Sequence, residues 1–246
     1  MKALIFAAGL GTRLKPLTDR MPKALIPVAG RPMLEHIILK LKASGFDNIV
    51  INIHHFGEQI IEFLQNHQNF GISIQISDER GELLDTGGGI KKAASLLGDR
   101  EPFLVHNVDI LSNADLKAFY LAHIQSRNDA TLLVSPRETS RYLLFDKENK
   151  LHGWINRTTH ETKPETFVYD ENRYVPYAFS GLHVISPSLF RYMDEKWSGK
   201  FPIMDFYLHT CDKAHIGGYV SKDLRLIDIG KPDTLKSAET FLQEIR

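Results

Sequence analysis

The chain has 246 residues, which is enough for one large α/β domain or two small ones with a substantial buried core. Its 30 basic and 30 acidic side chains give a formal net charge of zero, so no overall field attracts nucleic acid or an anionic membrane. The single Cys211 excludes an internal disulfide, no apolar run approaches the roughly 20 residues of a membrane span, and no signal-peptide pattern follows Met1, which together favour the cytoplasm.

The first predicted element is an apolar strand near Ala3–Ala7 that runs into a glycine-rich turn. Gly9 and Gly11 lack a Cβ atom, so the backbone can bend sharply and bring its N–H groups against a phosphate or a base edge. Arg13 and, slightly later, Lys23 add fixed positive charge. A strand, a glycine turn and two cations in this order are what binding of a nucleoside triphosphate requires.

The spacing of this turn argues against the two commoner phosphate-binding loops. In the dinucleotide-binding pattern G-x-G-x-x-G the third glycine would stand at Leu14, and Pro16 obstructs a helix that starts straight from the turn. A Walker loop needs G-K-[ST], and no such tripeptide follows. A Rossmann oxidoreductase is therefore disfavoured.

Strands and amphipathic helices alternate through the rest of the first half. Apolar residues recur at helical spacing from Met33 to Leu41, with Gly45 as the stop, and again from Ile60 to Leu64. Further strands are predicted near Ile49–Ile53, Ile72–Ser77 and Phe103–His106. This alternation predicts an α/β fold of three layers, in which a mixed, mostly parallel sheet carries helices on both faces.

Ligands of such sheets bind at the carboxyl ends of the strands. The segments Gly9–Arg13 and Asn107–Asp109 both follow predicted strands directly. The order of elements therefore brings the glycine turn and an acidic residue to the same edge of the sheet.

The second half is less regular. A polar excursion from Arg157 to Arg173 interrupts it and is interpreted as a lid over a ligand. The predicted strands are Ala130–Ser135, Tyr142–Phe145, Lys150–Asn156, Ala178–Ile185 and Arg225–Ile229. The predicted helices are Ile90–Leu97, Ser188–Met193, Pro202–His209 and Pro232–Ile245. Without a linker or an internal repeat, a single domain over residues 1–246 is expected.

Several motifs together resemble those of the sugar nucleotidyltransferases, the nucleoside-diphosphate-sugar pyrophosphorylases. Their signature is close to L-x-x-G-x-G-[ST]-R-[LM]-x-P-L-[ST] followed by P-K-x-L-x-P-V. Nearly complete matches lie at Leu4–Thr18 and Pro22–Val28, with further blocks at Asp85–Ile90, Asn107–Asp109, Phe179–Gly181 and Ile227–Gly230. The resemblance implies the Rossmann-like, GT-A-like nucleotidyltransferase fold, with a nucleotide-binding N-terminal half and a sugar-binding C-terminal half.

The activity implied by the resemblance is attack of a sugar 1-phosphate on the α-phosphorus of a nucleoside triphosphate, with release of pyrophosphate. The nucleophile is already an anion, so catalysis consists of alignment and charge neutralisation. By resemblance, Arg13 holds the triphosphate and the departing pyrophosphate, and Lys23 bridges the two reacting phosphates. Magnesium is the implied cofactor, and its ligands are Asp109 and Asp228.

The resemblance also assigns the remaining contacts of the site. Nucleotide contacts are expected at Ala8, Gly9, Gly11, Thr12, Arg13, Lys23, Gly87 and Gly88. Sugar contacts are expected at Asn107, Asn156, Ser180 and Gly181. The chain departs from the family at Val108, where a glycine is usual, and in Glu161–Pro164, an interrupted form of the family's E-K-P block.

The form D-T-G-G-G-I and the short C-terminus are most similar to the branch of the family that joins UTP to N-acetylmuramate 1-phosphate. Open alternatives are a guanylyltransferase for mannose or heptose 1-phosphate, a cytidylyltransferase for a phosphorylated alcohol, and a non-catalytic sugar-nucleotide-binding module. The partners are a nucleoside triphosphate and a sugar 1-phosphate, without nucleic acid or membrane, and a homo-oligomer is compatible with the sequence. For the lactyl carboxylate of N-acetylmuramate, the polar excursion offers Arg157 first, then Lys163 and Arg173.

Overall fold

A computed structural model describes residues 1–245 of the chain. The strands are β1 (Lys2–Phe6), β2 (Pro27–Val28), β3 (Arg31–Pro32), β4 (Asn48–Ile53), β5 (Ser73–Asp78), β6 (Phe103–Asn107), β7 (Ile110–Ser112), β8 (Ala130–Ser135), β9 (Arg141–Phe145), β10 (Leu151–Asn156), β11 (Thr162–Lys163), β12 (Val175–Ile185), β13 (Ile216–Val220) and β14 (Leu226–Asp228). The α-helices are α1 (Met33–Ala43), α2 (Gly57–Asn66), α3 (Asp85–Leu97), α4 (Leu116–Ser126), α5 (Ile203–Thr210) and α6 (Pro232–Glu244).

A ten-stranded sheet runs through the centre of the molecule in the order β11-β10-β9-β12-β6-β1-β4-β5, with β8 and β13 attached beside β12. Strands β6, β1, β4 and β5 of the first half run parallel to one another. The long strand β12 is antiparallel to β6, β8 and β9, and so joins the two halves into one continuous sheet. A separate two-stranded ribbon pairs β7 with β14.

Helices cover both faces of the sheet. Successive residues of the parallel strands point to opposite sides, so both sets of side chains are buried. Ile5 of β1 packs with the apolar faces of α1, α2, α4 and α6, whereas the preceding Leu4 packs with α3 and α5 on the other side. This arrangement confirms the predicted three-layer mixed α/β fold. No helix among residues 1–245 is both long enough and apolar enough to cross a membrane.

Some elements differ from the sequence-based prediction. Helix α4 was not predicted, although Asp115 caps it by accepting the Ala118 N–H at 2.9 Å. The short strands β7 and β13 were also missed, and the segment predicted as a helix at Ser188–Met193 is a 3₁₀ turn over Pro187–Tyr192. Helix α3 begins at Asp85 instead of Ile90, because the close packing of Gly87 and Gly88 against a neighbouring loop, and of Gly89 against Glu79, outweighs their poor helix propensity.

The polar excursion also has more structure than its composition suggested. Thr162 and Lys163 form β11, which pairs antiparallel with β10. Phe167 packs against a small apolar cluster, here called the third cluster because it is separate from those on the two faces of the sheet, which includes Tyr142 and Tyr174. The excursion is thus fastened to the outer face of the β9–β10 hairpin.

Candidate active site

A cavity of about 470 Å³ opens where β1, β4 and β6 end, at the carboxyl edge of the parallel strands. The residues predicted to bind nucleotide or metal that line this cavity are Ala8, Gly9, Gly11, Thr12, Arg13, Lys23 and Asp109, and the predicted sugar residue Asn107 lines it as well. Most of the residues predicted from the amino-terminal motif therefore converge on one space.

The glycine turn closes tightly on itself. Gly11 has a φ of +61°, and a Cβ atom there would lie 2.8 Å from Thr18 Cγ2 and 3.0 Å from Lys23 Cβ. The Thr18 hydroxyl donates to the Gly11 carbonyl at 3.0 Å. Because no side chain fits at Gly11, the turn packs directly against Thr18 and Lys23, which holds both cations of the motif at the cavity.

Lys23 is only 8% exposed, and its ammonium forms an ion pair with the Asp109 carboxylate. It lies on a 3₁₀ turn, Lys23–Leu25, that is anchored by the fully buried Ala24. A buried cation of this kind is held in place by its carboxylate partner and presents its charge at a fixed point.

The β7–β14 ribbon brings the two predicted metal ligands together. Asp228 pairs in register with Ile110, and the Ile229 N–H donates to the Asp109 carbonyl at 2.8 Å. Burial raises the pKa of the Asp228 carboxyl, and the nearby charge of Asp109 is the second cause of this rise. The charges of Lys23 and Arg13 offset part of the rise. Two carboxylates that repel each other favour the binding of a cation.

The donor set fits magnesium. Mg²⁺ is commonly held by one or two carboxylates together with substrate phosphates and water. Among residues 1–245 no cluster of three or more acidic, histidine or cysteine side chains forms a complete cage for a metal. A site with two carboxylates beside a triphosphate-sized cavity suits an ion that arrives with its phosphate ligands.

The Arg13 guanidinium also lies close to Asp228. A Cβ atom built on Gly230, which lies two residues after the end of β14, would lie 2.8 Å from Asp228 Oδ1 and 3.0 Å from the Arg13 guanidinium carbon. The absence of a side chain at Gly230 therefore lets the Arg13 guanidinium and the Asp228 carboxylate share one space.

A buried polar brace beneath the glycine turn was missed by the sequence reasoning. Asn52 Oδ1 accepts the N–H groups of Ala7 and Ala8 at 2.7 and 3.2 Å, and its Nδ2 donates to Glu79 Oε1 at 2.8 Å. Glu79 is fully buried, and its other oxygen accepts the Leu84 N–H at 3.2 Å. The available signal was Asn52, which stands between two isoleucines in the strand N-I-V-I-N-I.

Gly87 and Gly88 do not line the cavity, so the structure does not support the predicted nucleobase contact. Both N–H groups point to the Phe201 carbonyl, at 2.8 and 3.4 Å. The glycines instead allow the segment Gly199–Phe201 to lie directly on α3, since Cβ atoms there would overlap Phe201 and the Gly199 carbonyl. This contact places Lys200, which was not predicted, at the cavity wall.

Substitution of Gly88 by alanine is expected to displace the Gly199–Phe201 segment and carry Lys200 away from the cavity. We expect the KM for the triphosphate to rise by about tenfold, the effect of losing one charged contact. Gly81→Ala is the matched control, because nothing lies within 4 Å of a Cβ atom at Gly81. Hydrogen exchange of residues 199–201 measures the displacement, and unchanged exchange in Gly88→Ala would contradict it.

The four predicted sugar residues do not form one cluster. Gly181, with a φ of +78°, packs against the Asn107 side chain, so these two residues are neighbours. Ser180 is buried and its hydroxyl donates to the Leu133 carbonyl at 2.6 Å, which leaves it turned away from the cavity. The Asn156 side chain accepts the Thr158 N–H at 3.0 Å and caps a local turn. The structure thus does not place Ser180 or Asn156 in contact with a ligand.

Comparison with known proteins adds an independent finding. Residues 2–245 match the sequence profile described as nucleotidyl transferase. An N-acetylmuramate alpha-1-phosphate uridylyltransferase of Caulobacter vibrioides is 28% identical over 98% of this chain and 97% of its own length. A protein of the same name from Neisseria meningitidis serogroup B is 45% identical, over 49% of this chain and 52% of its own.

A relative with a different substrate in its name is also similar to this chain over its full length. The mannose-1-phosphate guanyltransferase of Gibberella zeae is 33% identical over 100% of this chain, which spans 65% of the fungal protein's length.

Among solved structures, a putative glucose-1-phosphate thymidylyltransferase from Bacillus anthracis superimposes with a TM-score of 0.82 at 20% identity, over 100% of this chain and 96% of that chain. At this identity the likeness shows the fold, and it confirms the predicted nucleotidyltransferase architecture. With the profile match over nearly every residue, the chain belongs to the nucleotidyl transferase family.

Proposed function

We propose that this protein joins UTP to N-acetylmuramate 1-phosphate, releasing pyrophosphate and forming a nucleoside-diphosphate sugar. The observation that carries the proposal is the convergence of Arg13, Lys23 and Asp109 on the cavity at the glycine turn, with Asp228 beside Arg13 at Gly230. The bacterial uridylyltransferase that aligns with this chain from end to end supports the choice of base and sugar.

The proposed chemistry needs no general base, because the attacking phosphate oxygen is already ionised. Two polyanions must approach each other, and the residues at the cavity mouth reduce their repulsion. Lys23 holds the α-phosphate and the incoming sugar phosphate in line, and Arg13 holds the departing pyrophosphate. Neither side chain exchanges a proton during the reaction.

Asp109 and Asp228 are the proposed ligands of Mg²⁺. When bound, the ion supplies positive charge to the phosphate oxygens during transfer. The Lys23 ammonium that pairs with Asp109 already marks this carboxylate as a position where a cation is favoured. Dependence of turnover on magnesium is part of the proposal.

The two halves of the sheet are proposed to act as one domain, with the nucleotide in the first half and the sugar near the β9–β10 hairpin. We also propose a cytoplasmic enzyme, because Cys211 is a free thiol and free thiols are typical of reducing compartments.

The second candidate is guanylyl transfer from GTP to mannose 1-phosphate, which the fungal relative supports. A screen of pyrophosphate release with four nucleoside triphosphates against N-acetylmuramate, N-acetylglucosamine, mannose and heptose 1-phosphates separates the candidates. We expect UTP with N-acetylmuramate 1-phosphate to give the highest kcat/KM. Best turnover of GTP with mannose 1-phosphate would overturn the proposal in favour of the alternative.

A further inference from the structure

A second cavity, of about 420 Å³, lies between the β9–β10 hairpin and helix α5. Its volume is within the range of about 300–1,000 Å³ that is typical of small-molecule sites. Three of its lining side chains are cations, Arg137, Arg141 and Lys163, and one is an acid, Asp205. The cavity therefore carries a net positive charge in a protein whose overall charge is zero.

Strand register explains why these cations face one another. Leu143 of β9 pairs with Trp154 of β10, and Trp154 pairs with Lys163 of β11, so the three side chains share one face of the hairpin. Arg141 stands two residues before Leu143 and points the same way. The intervening Tyr142 points to the opposite face, where it joins the small third cluster.

That opposite face holds two of the three cations favoured from the sequence alone. The Arg157 guanidinium lies over the Tyr142 ring at 4.9 Å from its centroid, and Arg173 lies over Tyr174 at 5.2 Å. Of the three residues predicted for a sugar carboxylate, only Lys163 lines the cavity. The positive groups that line the cavity with Lys163 are therefore Arg141 and Arg137, and Arg157 does not line it.

The charges in the cavity are only partly paired. Lys163 Nζ lies 3.2 Å from Asp205 Oδ1, and Arg137 Nη2 donates to the Phe179 carbonyl at 3.0 Å. Within residues 1–245 the Arg141 guanidinium has neither an ion pair nor a hydrogen bond, and Arg137 has no carboxylate partner within ion-pair distance. Two arginines thus remain able to receive an anion with charge-assisted hydrogen bonds.

The cavity also lies close to the first one. Its Arg137 donates to the carbonyl of Phe179, the first residue of the F-S-G block, and Gly181 of the same block packs against the side chain of Asn107, which lines the first cavity. A sugar whose phosphate lies at Lys23 and Asp228 can therefore extend its ring toward this hairpin.

Apolar groups complete the lining. The Trp154 ring forms one wall, with Phe179 and Leu143 beside it. A lining that combines cations with apolar side chains fits a small substituent with both a carboxylate and a methyl group, which is the chemistry of a lactyl ether.

We infer that the Arg137–Arg141–Lys163 cavity binds the anionic side group of the sugar substrate, with Arg141 and Arg137 donating to its carboxylate and Trp154 packing against its methyl group. This inference rests on the proposed function, because it names the part of the protein that would select N-acetylmuramate 1-phosphate over an uncharged sugar. Arg141 and Arg137 are then specificity-determining residues.

The test compares kcat/KM for N-acetylmuramate 1-phosphate and N-acetylglucosamine 1-phosphate, which differ by the lactyl group. We expect Arg141→Gln to lower kcat/KM for the muramate substrate by about tenfold or more, and that for N-acetylglucosamine 1-phosphate by less than about threefold. Arg137→Gln should reduce the same ratio. Arg157→Gln is the matched control, because it removes an arginine from the opposite face of the same hairpin and should leave the ratio unchanged.

Equal losses with both sugars in Arg141→Gln and Arg137→Gln, in a protein that prefers the muramate substrate, would overturn the inference and leave the proposed function standing. A second pair, glucuronate 1-phosphate and glucose 1-phosphate, separates the opposite case. If the protein rejects N-acetylmuramate 1-phosphate but prefers the acidic member of this pair, and Arg141→Gln abolishes that preference, the proposed function fails and the inference survives. Preference for neutral sugars throughout would overturn both.

Discussion

Replacement of Asp109 or Asp228 by asparagine is expected to lower turnover by at least about a hundredfold while leaving the fold intact. Each substitution keeps the size of the side chain and removes a charge that the proposed metal ion requires. Asp228→Asn also removes a carboxyl whose pKa is already raised by burial and by Asp109, so the folded protein should tolerate the neutral amide. The initial rate of pyrophosphate release, measured against magnesium concentration, checks this expectation.

Asp19→Asn is the matched control for both variants. Asp19 lies in the same amino-terminal region, but its carboxylate is exposed and pairs with Lys15 at 3.1 Å, away from the two candidate ligands. We expect control activity close to that of the unmodified protein and unchanged circular dichroism in all three variants. Normal turnover of Asp109→Asn at ordinary magnesium concentration would rule out Asp109 as a metal ligand.

Substitution of Lys23 by methionine is expected to lower kcat by about a hundred- to a thousandfold, with the dissociation constant of the triphosphate changed by less than about threefold. The reason is that Lys23 is assigned to the junction of the two phosphates, where the need for charge is greatest in the transition state. Methionine retains most of the buried stem, which limits the loss of packing around a residue that is 8% exposed. Single-turnover rates and equilibrium binding of the triphosphate separate the two effects.

Lys15→Met serves as the control, since it removes a lysine of the same loop whose partner is the exposed Asp19. Arg13→Met should weaken binding and turnover together, because Arg13 is assigned to the triphosphate in both states. A Lys23→Met protein with normal kcat and a raised KM would show that Lys23 is a simple binding charge.

The amino-terminal part of the site could be predicted from the sequence because its information is local. A glycine turn after a strand, followed by Arg13 and Lys23, needs only a few neighbouring residues to be recognised. The position of Asp109 at this edge of the sheet could be predicted because it closely follows β6, the strand beside β1, and the carboxyl ends of parallel strands share an edge. The three-layer fold followed from the alternation of strands and helices.

The features that were missed depend on contacts between distant segments. Gly87 and Gly88 look like a binding turn when read alone, and only the approach of Phe201 shows that they receive a loop. The alternation of Arg141 with Tyr142 carries no functional meaning until the β9–β10 register decides which face lies over α5. Helix α4 was overlooked because its apolar residues do not form a narrow stripe.

The β7–β14 ribbon has a consequence for synthesis of the protein. Asp109 belongs to the first half of the chain, whereas Asp228 is synthesised much later, with strand β14. A nascent chain that ends before Leu226 already contains the glycine turn, Arg13 and Lys23, but it lacks the second carboxylate. Because closing so long a loop is slow relative to forming local contacts, the complete pair of carboxylates is the last part of the site to assemble. The proposed nucleotide-binding surface thus precedes the complete pair of proposed metal ligands as the chain is made.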